Sequence, residues 1–564
     1  MSRSRRRKNK KSGLLFKLCL LVVLTVLCAA AFGPAIADRI LPSKEVKELT
    51  EWLEVSGDEV RIYLDGQADF DSKGIAADGH VYLPVDFVHD SLNDRFYWSD
   101  TDSMLSYTLP DETVDMSADT ETDGAADIIQ RDGQTYVLLD AVSRFTDIMS
   151  SAFAGNDESA KRVFIERGGT SRLEAEITRK TQIRVKRDIK SPMLAEIEKG
   201  EHVIVEERND AWCSIISDGG ISGYVRTKSV TVPEETTVPD SYTEPEVSHT
   251  LLGEKPVIGW HGIYSAAGNA SLDEVLKTAG GHINVISPTW IQISGADGSF
   301  VNYSSRDYVD KAHAAGLKVW VTVDNFNQSS AVSDFNTKEY FSSAANRRDF
   351  IARLMSAAAS CGYDGFNLDF EGLKTEAGET YAQFFRELSA ECRKAGLVLS
   401  IDNYVPYNFN DFYRMDEQGV FADYVAVMLY DEHTSDIGSN SSLPYVRYGL
   451  EESIKDVPAD RIIAGLALYT RLWTEDGSGN VSSETMSMSR AAQYASESGM
   501  QLEWDAGDGQ YVGVLSDGAV TKSLWLEDAE SLKAKKEVMD ELGIGGTAVW
   551  RLGYDTSDIW NVLD

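Results

Sequence analysis

The 564-residue chain has little cysteine, few basic residues for its number of acids, and no histidine pattern suited to a metal. Of five cysteines, Cys19 and Cys28 lie in an apolar leader, and Cys213, Cys361 and Cys392 are far apart. That scatter excludes a disulfide scaffold, and no CxxC or Cys/His ligand cluster is present. The eight histidines show no HxxxH or HxxEH spacing. A zinc amidase or metal-dependent deacetylase would lack its ligands, so the expected chemistry uses no metal and no cofactor. Lys and Arg number 54 against 90 Asp and Glu, a formal charge of −36. Residues 1–37 hold eight Lys or Arg and no acid, so the remainder carries −36 − 8 = −44. Such a body is repelled by nucleic acid and by anionic lipid. Hydrophobic residues at 43% and charged ones at 26% are ordinary for soluble globular protein. The length exceeds what one core supports and implies three or four domains.

Only one long apolar run is present. Residues 3–11 are basic, 18–32 are apolar, and Ala35-Ile36-Ala37 is a small-residue cleavage pattern. Residues 1–37 are therefore expected to direct export, as a cleaved signal peptide or as a retained anchor of about 20 apolar residues. Either outcome makes the protein extracytoplasmic, secreted to the cell wall or held in the cell membrane by this segment. Residues 38–50 read as a short helical connector.

From about 59 to 169 short strands at 60–64, 81–85, 105–107, 135–139 and 163–165 alternate with Asp/Gly turns. The stretches 79–88 (Gly-His-Val-Tyr-Leu-Pro-Val-Asp-Phe-Val) and 133–142 (Gly-Gln-Thr-Tyr-Val-Leu-Leu-Asp-Ala-Val) share one spacing, which predicts a doubled strand-helix unit. The segment 38–172 resembles the small domain named for the N-terminal region of copper amine oxidases. The name implies no copper here, and the resemblance implies a spacer or a wall-contact module. Residues 173–232 resemble a bacterial SH3-like domain. Ile183-Arg184-Val185 opens it, 197–205 supplies a turn and strand, and Trp212-Cys213-Ser214-Ile215 precedes Gly223-Tyr224-Val225, with Lys186 where that family has Asn or Ser. This resemblance implies binding of cell-wall peptide or glycan, and the alternative is that Trp212 and Tyr224 simply fill a core. Residues 233–254, rich in Thr, Pro, Glu, Val and Ser, read as an extended linker.

Beyond residue 255 the pattern becomes strands alternating with helices. Eight apolar strand-like runs, at 257–260, 283–288, 319–323, 366–371, 397–401, 424–428, 462–466 and 546–550, predict an α/β fold, a (β/α)8 TIM barrel following the small mostly-β modules. Stretches 348–360 and 381–395 read as barrel helices. Working residues of such a barrel lie at the C-terminal strand ends.

The fourth run carries the chemistry. In Asp364-Gly365-Phe366-Asn367-Leu368-Asp369-Phe370-Glu371-Gly372, three large apolar residues alternate with three polar ones, so a strand would put Asn367, Asp369 and Glu371 on one face. Two acids at i and i+2 facing a confined interior repel each other unless a proton is shared, which points to acid/base work. The other strand ends add Met428-Leu429-Tyr430-Asp431, Tyr469 with Arg471, and Trp550, a hydroxyl donor, a further carboxylate and a flat apolar floor for sugar.

Residues 364–371 resemble the Asp-x-x-Asp-x-Asp-x-Glu signature of glycoside hydrolase family 18, with Asn367 at its second Asp. The variant is similar to the wall-lytic and spore-associated N-acetylglucosaminidases of that family. The resemblance implies Glu371 as general acid, Asp369 as the carboxylate that orients the substrate's 2-acetamido group, and Tyr430 as its donor. It implies substrate contacts by Asp431 and Trp550, and the surrounding Asp364, Asn367, Met428, Tyr469 and Arg471 complete the expected site. Asn367 cannot titrate, and its amide is expected to hydrogen-bond Asp369. The implied reaction is retaining and substrate-assisted. Three functions stay open: an N-acetylglucosaminidase on peptidoglycan, a chitinase or chitooligosaccharide hydrolase, and a non-catalytic glycan-binding barrel.

Overall fold

The computed structural model describes residues 16–26, 41–155, 158–325 and 335–563, the side chain of Phe70 excepted. The chain divides into two compact units, residues 1–93 with 118–244, and residues 94–117 with 245–564. Residues 16–26 are helical, and no helix among the described residues is long and apolar enough to cross a membrane. The rest of the expected leader, 1–15 and 27–37, lies outside the described residues.

The first unit is built from two seven-stranded sheets. One runs in the order Ile148–Phe153, Arg162–Arg167, Glu59–Leu64, Gln67–Ala77, His80–Pro84, Gln134–Leu138, Ile128–Arg131. The similar phrases at 79–88 and 133–142 form His80–Pro84 and Gln134–Leu138, which pair antiparallel with Tyr136 opposite Pro84, and each leads into a helical turn. The second sheet runs Met193–Ile197, Thr181–Arg184, Ser222–Arg226, Trp212–Ser217, His202–Arg208, Ser171–Glu176, Glu234–Thr237. Alternation along these strands buries Ile183, Leu194, Val203, Val205, Ile215 and Val225 in one cluster. Trp212 is buried beneath the Arg226 guanidinium, 4.6 Å from its ring centre, so that ring presents no open face to a sugar. Two local expectations change. Among the described residues the helix expected over 38–50 is confined to Leu49–Leu53, with Val46 ahead of it bridging to Met193, and 38–40 lie outside the described residues. Part of the expected linker becomes a strand, as 234–237 pairs with 171–174 and satisfies backbone groups that a sheet edge would leave open.

The second unit is a closed barrel of eight parallel strands: β1 Val257–His261, β2 Val285–Pro288, β3 Lys318–Asp324, β4 Gly365–Asp369, β5 Val398–Tyr404, β6 Tyr424–Met428, β7 Ile462–Ala467 and β8 Gly546–Trp550. Each pairs with its sequence neighbour and β8 returns to β1, as the eightfold pattern predicts. Phe366 and Leu368, the outward residues of β4, and Phe370 just past it are at most 1% exposed and join the layer between strands and helices. There Phe341 and Phe384 stack 4.1 Å apart at 7°. Inward residues Ile258, Trp260, Val285, Trp320, Val398, Tyr424 and Ala426 fill the lower lumen. Between β7 and β8 the chain adds a five-stranded antiparallel sheet spanning 469–526.

The two long helices nearest β4 are α1, Ala344–Cys361, and α2, Gly378–Ala395. Ser343 caps the start of α1, and Gly362 and Gly396, at φ 79° and 67°, close the two C-termini in the left-handed region that favours glycine. α2 is buried on nearly every side although it carries Thr380, Gln383, Arg386, Glu387 and Ser389. The reason is the segment 94–117, expected within the first small module but folded with the barrel as the strands Tyr97–Ser99, Met104–Thr108 and Thr113–Met116. Gln383 donates to Thr108 at 3.0 Å, Arg393 donates to the Pro110 carbonyl at 2.7 Å, and Tyr97 meets Thr380 at 3.2 Å. Beneath them, Arg347 with Glu387 and Arg386 with Glu417 form buried ion pairs at 2.9 and 2.8 Å.

Candidate active site

Within the barrel the polar groups form tiers. At the lowest tier Asn367 on β4 is fully buried and uses both ends of its amide. Its Oδ1 accepts from Trp260 Nε1 at 2.8 Å and from Ser287 at 3.3 Å, while Nδ2 donates to Ser400 at 2.8 Å and to Asp402 Oδ1 at 2.7 Å. The amide therefore serves Asp402, not Asp369 as the sequence reading expected. An aspartate at 367 would set a second carboxyl against Asp402, and the two would repel unless they kept a proton between them.

One tier higher, the strand register sets three carboxyls side by side. Asp324 at the end of β3 pairs in register with Asp369, and Asp402 follows Ile401, the partner of Leu368. Asp369 Oδ1 is sealed from solvent and has no hydrogen-bond partner among the described residues, although the residue keeps some exposure to the cleft. Burial, and then the charges of Glu371, Asp402 and Asp324, push its pKa well above the usual carboxylate range. Burial likewise raises Asp402 against the stabilising hydrogen bond from Asn367.

Glu371 lies just past β4, at the barrel mouth. Its backbone is clamped by Asn325, whose side chain donates to the Glu371 carbonyl and accepts from its N–H, each at 2.9 Å. The carboxylate accepts from the Tyr404 hydroxyl at 2.7 Å. Burial raises the Glu371 pKa, the Tyr404 bond works to lower it, and Asp431 adds to the rise, with the upward shift prevailing. A carboxyl whose pKa is raised at the barrel mouth is suited to give a proton to a leaving oxygen.

The expected residues on or just past β6, β7 and β8 surround the same mouth. Met428 is buried on the inner row of β6, in register with Tyr404. Burial pushes the Tyr430 hydroxyl well above its ordinary value, so it remains a neutral donor, and its ring meets Tyr469 edge-on at 6.2 Å. Asp431, at φ 60°, accepts from Tyr469 at 2.6 Å and from Arg471, whose Nε reaches Asn440 at 3.3 Å. Trp550 stands edge-on to Trp260 at 6.2 Å, half-buried at the end of β8.

Asp364 is the exception. It precedes β4 at the opposite end of the strand, where it accepts from His313 at 2.7 Å, Lys318 at 2.8 Å and the Val319 N–H at 2.9 Å. It ties β3 to β4 and takes no part in the mouth. The sequence reading missed Asp402, Tyr404, Asp324 and Asn325. Ser400, Asp402 and Tyr404 alternate as β4 does, and ending β5 at 401 instead of 404 hid the row. Among the described residues no group of His, Cys, Asp and Glu is arranged to hold a metal ion.

Comparison with known proteins agrees with this barrel. Residues 277–555 match the model of glycosyl hydrolases family 18. The chain is 23% identical over 280 residues to the uncharacterized glycosylase YvbX of Bacillus subtilis, an alignment covering 47% of this chain and 80% of that protein. It is 23% identical over 256 residues to the cortical fragment-lytic enzyme of Bacillus anthracis, covering 44% of this chain and 59% of the relative. With mouse chitotriosidase-1 the identity is 26% over 264 residues, covering 39% and 56%. Beyond YvbX, then, the chain spans little more than half the length of these curated relatives. The solved spore cortex-lytic enzyme SleL of Bacillus cereus superposes with a TM-score of 0.50 at 20% identity, covering 59% of this chain and 77% of that structure, a likeness of fold. The barrel of this chain is a domain of glycosyl hydrolases family 18.

Proposed function

We propose that this protein is an extracytoplasmic glycosidase that cleaves β-1,4 bonds after N-acetylglucosamine in peptidoglycan, by retaining catalysis in which the substrate's own acetamido group is the nucleophile. The observation that carries the reading is the pairing of Glu371, its pKa raised by burial at the mouth, with Asp369 two residues below it on the same inner row. Glu371 gives its proton to the glycosidic oxygen as the acetamido oxygen attacks the anomeric carbon, and an oxazolinium ion forms. Asp369, as its anion, accepts from the acetamido N–H and balances the positive ring, while the Tyr430 hydroxyl donates to the acetamido oxygen. Water then attacks the same carbon from the face the leaving group vacated, returning a proton to Glu371, so the configuration is retained. Trp550 supplies a flat apolar floor, and Arg471 holds Asp431 at the rim.

The cortex-lytic relatives favour peptidoglycan, and the chitinase-type relative favours chitin oligomers as the second reading. The basic-then-apolar leader supports export, which brings the barrel to either polymer, and the small β sheets of the first unit suit a spacer or wall-contact role. Incubating the purified protein separately with peptidoglycan strands and with chitin oligomers, then weighing the products, tests the reading. N-acetylglucosamine-ended fragments from peptidoglycan are expected. Cleavage of chitin alone selects the second reading, and cleavage of neither overturns both.

A further inference from the structure

Asp402 is assigned no role by the signature on β4, yet the geometry singles it out. Asp402 and Asp369 each follow one residue after the paired Ile401 and Leu368 on adjacent strands, whose backbones lie about 5 Å apart, and the Asp402 charge is among those that act on Asp369. Among the described residues no Lys or Arg pairs with either carboxyl. Among the described residues Asn367 Nδ2 is the strong donor to Asp402, and none reaches Asp369 Oδ1. Two adjacent carboxyls out of reach of any cation retain a proton between them. At rest the donor from Asn367 favours the anion on Asp402 and leaves the proton on Asp369.

We propose that Asp402 is a positioning residue, the carboxyl that takes over the Asp369 proton when a substrate amide arrives, and that β5 supplies it because position 367 on β4 is an amide. The inference rests on the hydrolase reading above. As the substrate N–H donates to Asp369, the proton moves from an Asp369 oxygen to Asp402, and Asp369 becomes the anion that faces the developing positive charge. On product release the proton returns. It is never passed to substrate, and Glu371 keeps a separate proton for the leaving oxygen.

The test uses the full chain with Asp402→Asn and with the exchange Asn367→Asp plus Asp402→Asn, which restores an amide-carboxylate hydrogen bond with donor and acceptor reversed. Asp402→Asn should lower kcat by about 10- to 100-fold with KM little changed. It should also move the acidic limb of the pH profile upward, because a lone Asp369 must lose its proton with no neighbour to receive it. The exchange should recover most of kcat and return the limb. A second readout needs no turnover: in the Glu371→Gln background, infrared spectra should show a protonated aspartate band at neutral pH that Asp402→Asn shifts in frequency, because the Asp369 carboxyl loses the neighbour with which it shares the proton. Unchanged kcat and limb in Asp402→Asn, an exchange variant no more active than the single one, or a band indifferent to residue 402 would each overturn the proposal. Loss of the fold in both variants would do so too, since the exchange keeps the bond a purely structural role requires. Should the parent protein cleave no glycan, the hydrolase reading fails while the infrared arm still decides whether the pair shares a proton.

Discussion

The two ends of β4 hold aspartates five residues apart and treat them in opposite ways. Burial works to raise the pKa of Asp364, but Lys318, the Val319 N–H and His313 outweigh it and hold the carboxyl below its usual range. At the other end burial acts on Asp369 with further carboxyls for neighbours, and the shift is upward. Donors set the sign. The lower end spends its charge on joining strands, and the upper end raises the pKa of its acids.

That contrast can be broken at three places. The largest effect belongs to Glu371→Gln, which keeps the shape and removes the proton; kcat should fall about 1000-fold with the thermal midpoint unmoved, measured on whichever glycan the parent protein cleaves. Tyr404→Phe should act more mildly. Its hydroxyl stabilises the Glu371 carboxylate, so without it the already raised pKa rises further. The alkaline limb of the pH profile, where a general acid is lost, should then shift to higher pH while kcat drops about tenfold. The smallest change in activity is expected at the lower end. Asp364→Asn should leave kcat as it is and cost about 1 kcal/mol of stability at pH 7, discounted for the exposure of Lys318 and His313. A carboxyl whose folded pKa is depressed stabilises above its unfolded pKa and loses that contribution as pH falls through the folded one. Thermal unfolding should therefore show the gap between Asp364→Asn and parent closing in acid.

Much of the barrel was legible because period-2 apolar rows and helical repeats are local signals. The alternation from Phe366 to Glu371 placed the inner row of β4 correctly. What was not legible depends on neighbours. Asp402 and Tyr404 were hidden by a strand end set three residues short, and Asp324 by one set a single residue short. The partner of the Asn367 amide could not be read from β4 alone, since Asp402 stands on β5. Asp364 shares the motif with Glu371 in sequence, yet a strand separates its ends in space, and spacing does not say which end faces the chemistry. The segment 94–117 looked like any other short-strand stretch. Its attachment to α2 follows from polar residues such as Gln383, Arg386 and Glu387, whose burial no helical pattern announces.

That attachment bears on how the molecule can be cut. The chain enters the barrel unit at 94, leaves it at 117 and enters again near 245, so three strands of the catalytic half are encoded ahead of most of the other half. A protease nicking once between 238 and 254 would yield two pieces still laced through one another. An expression clone begun at 245 would strip the cover from α2 and leave its ion pairs facing water.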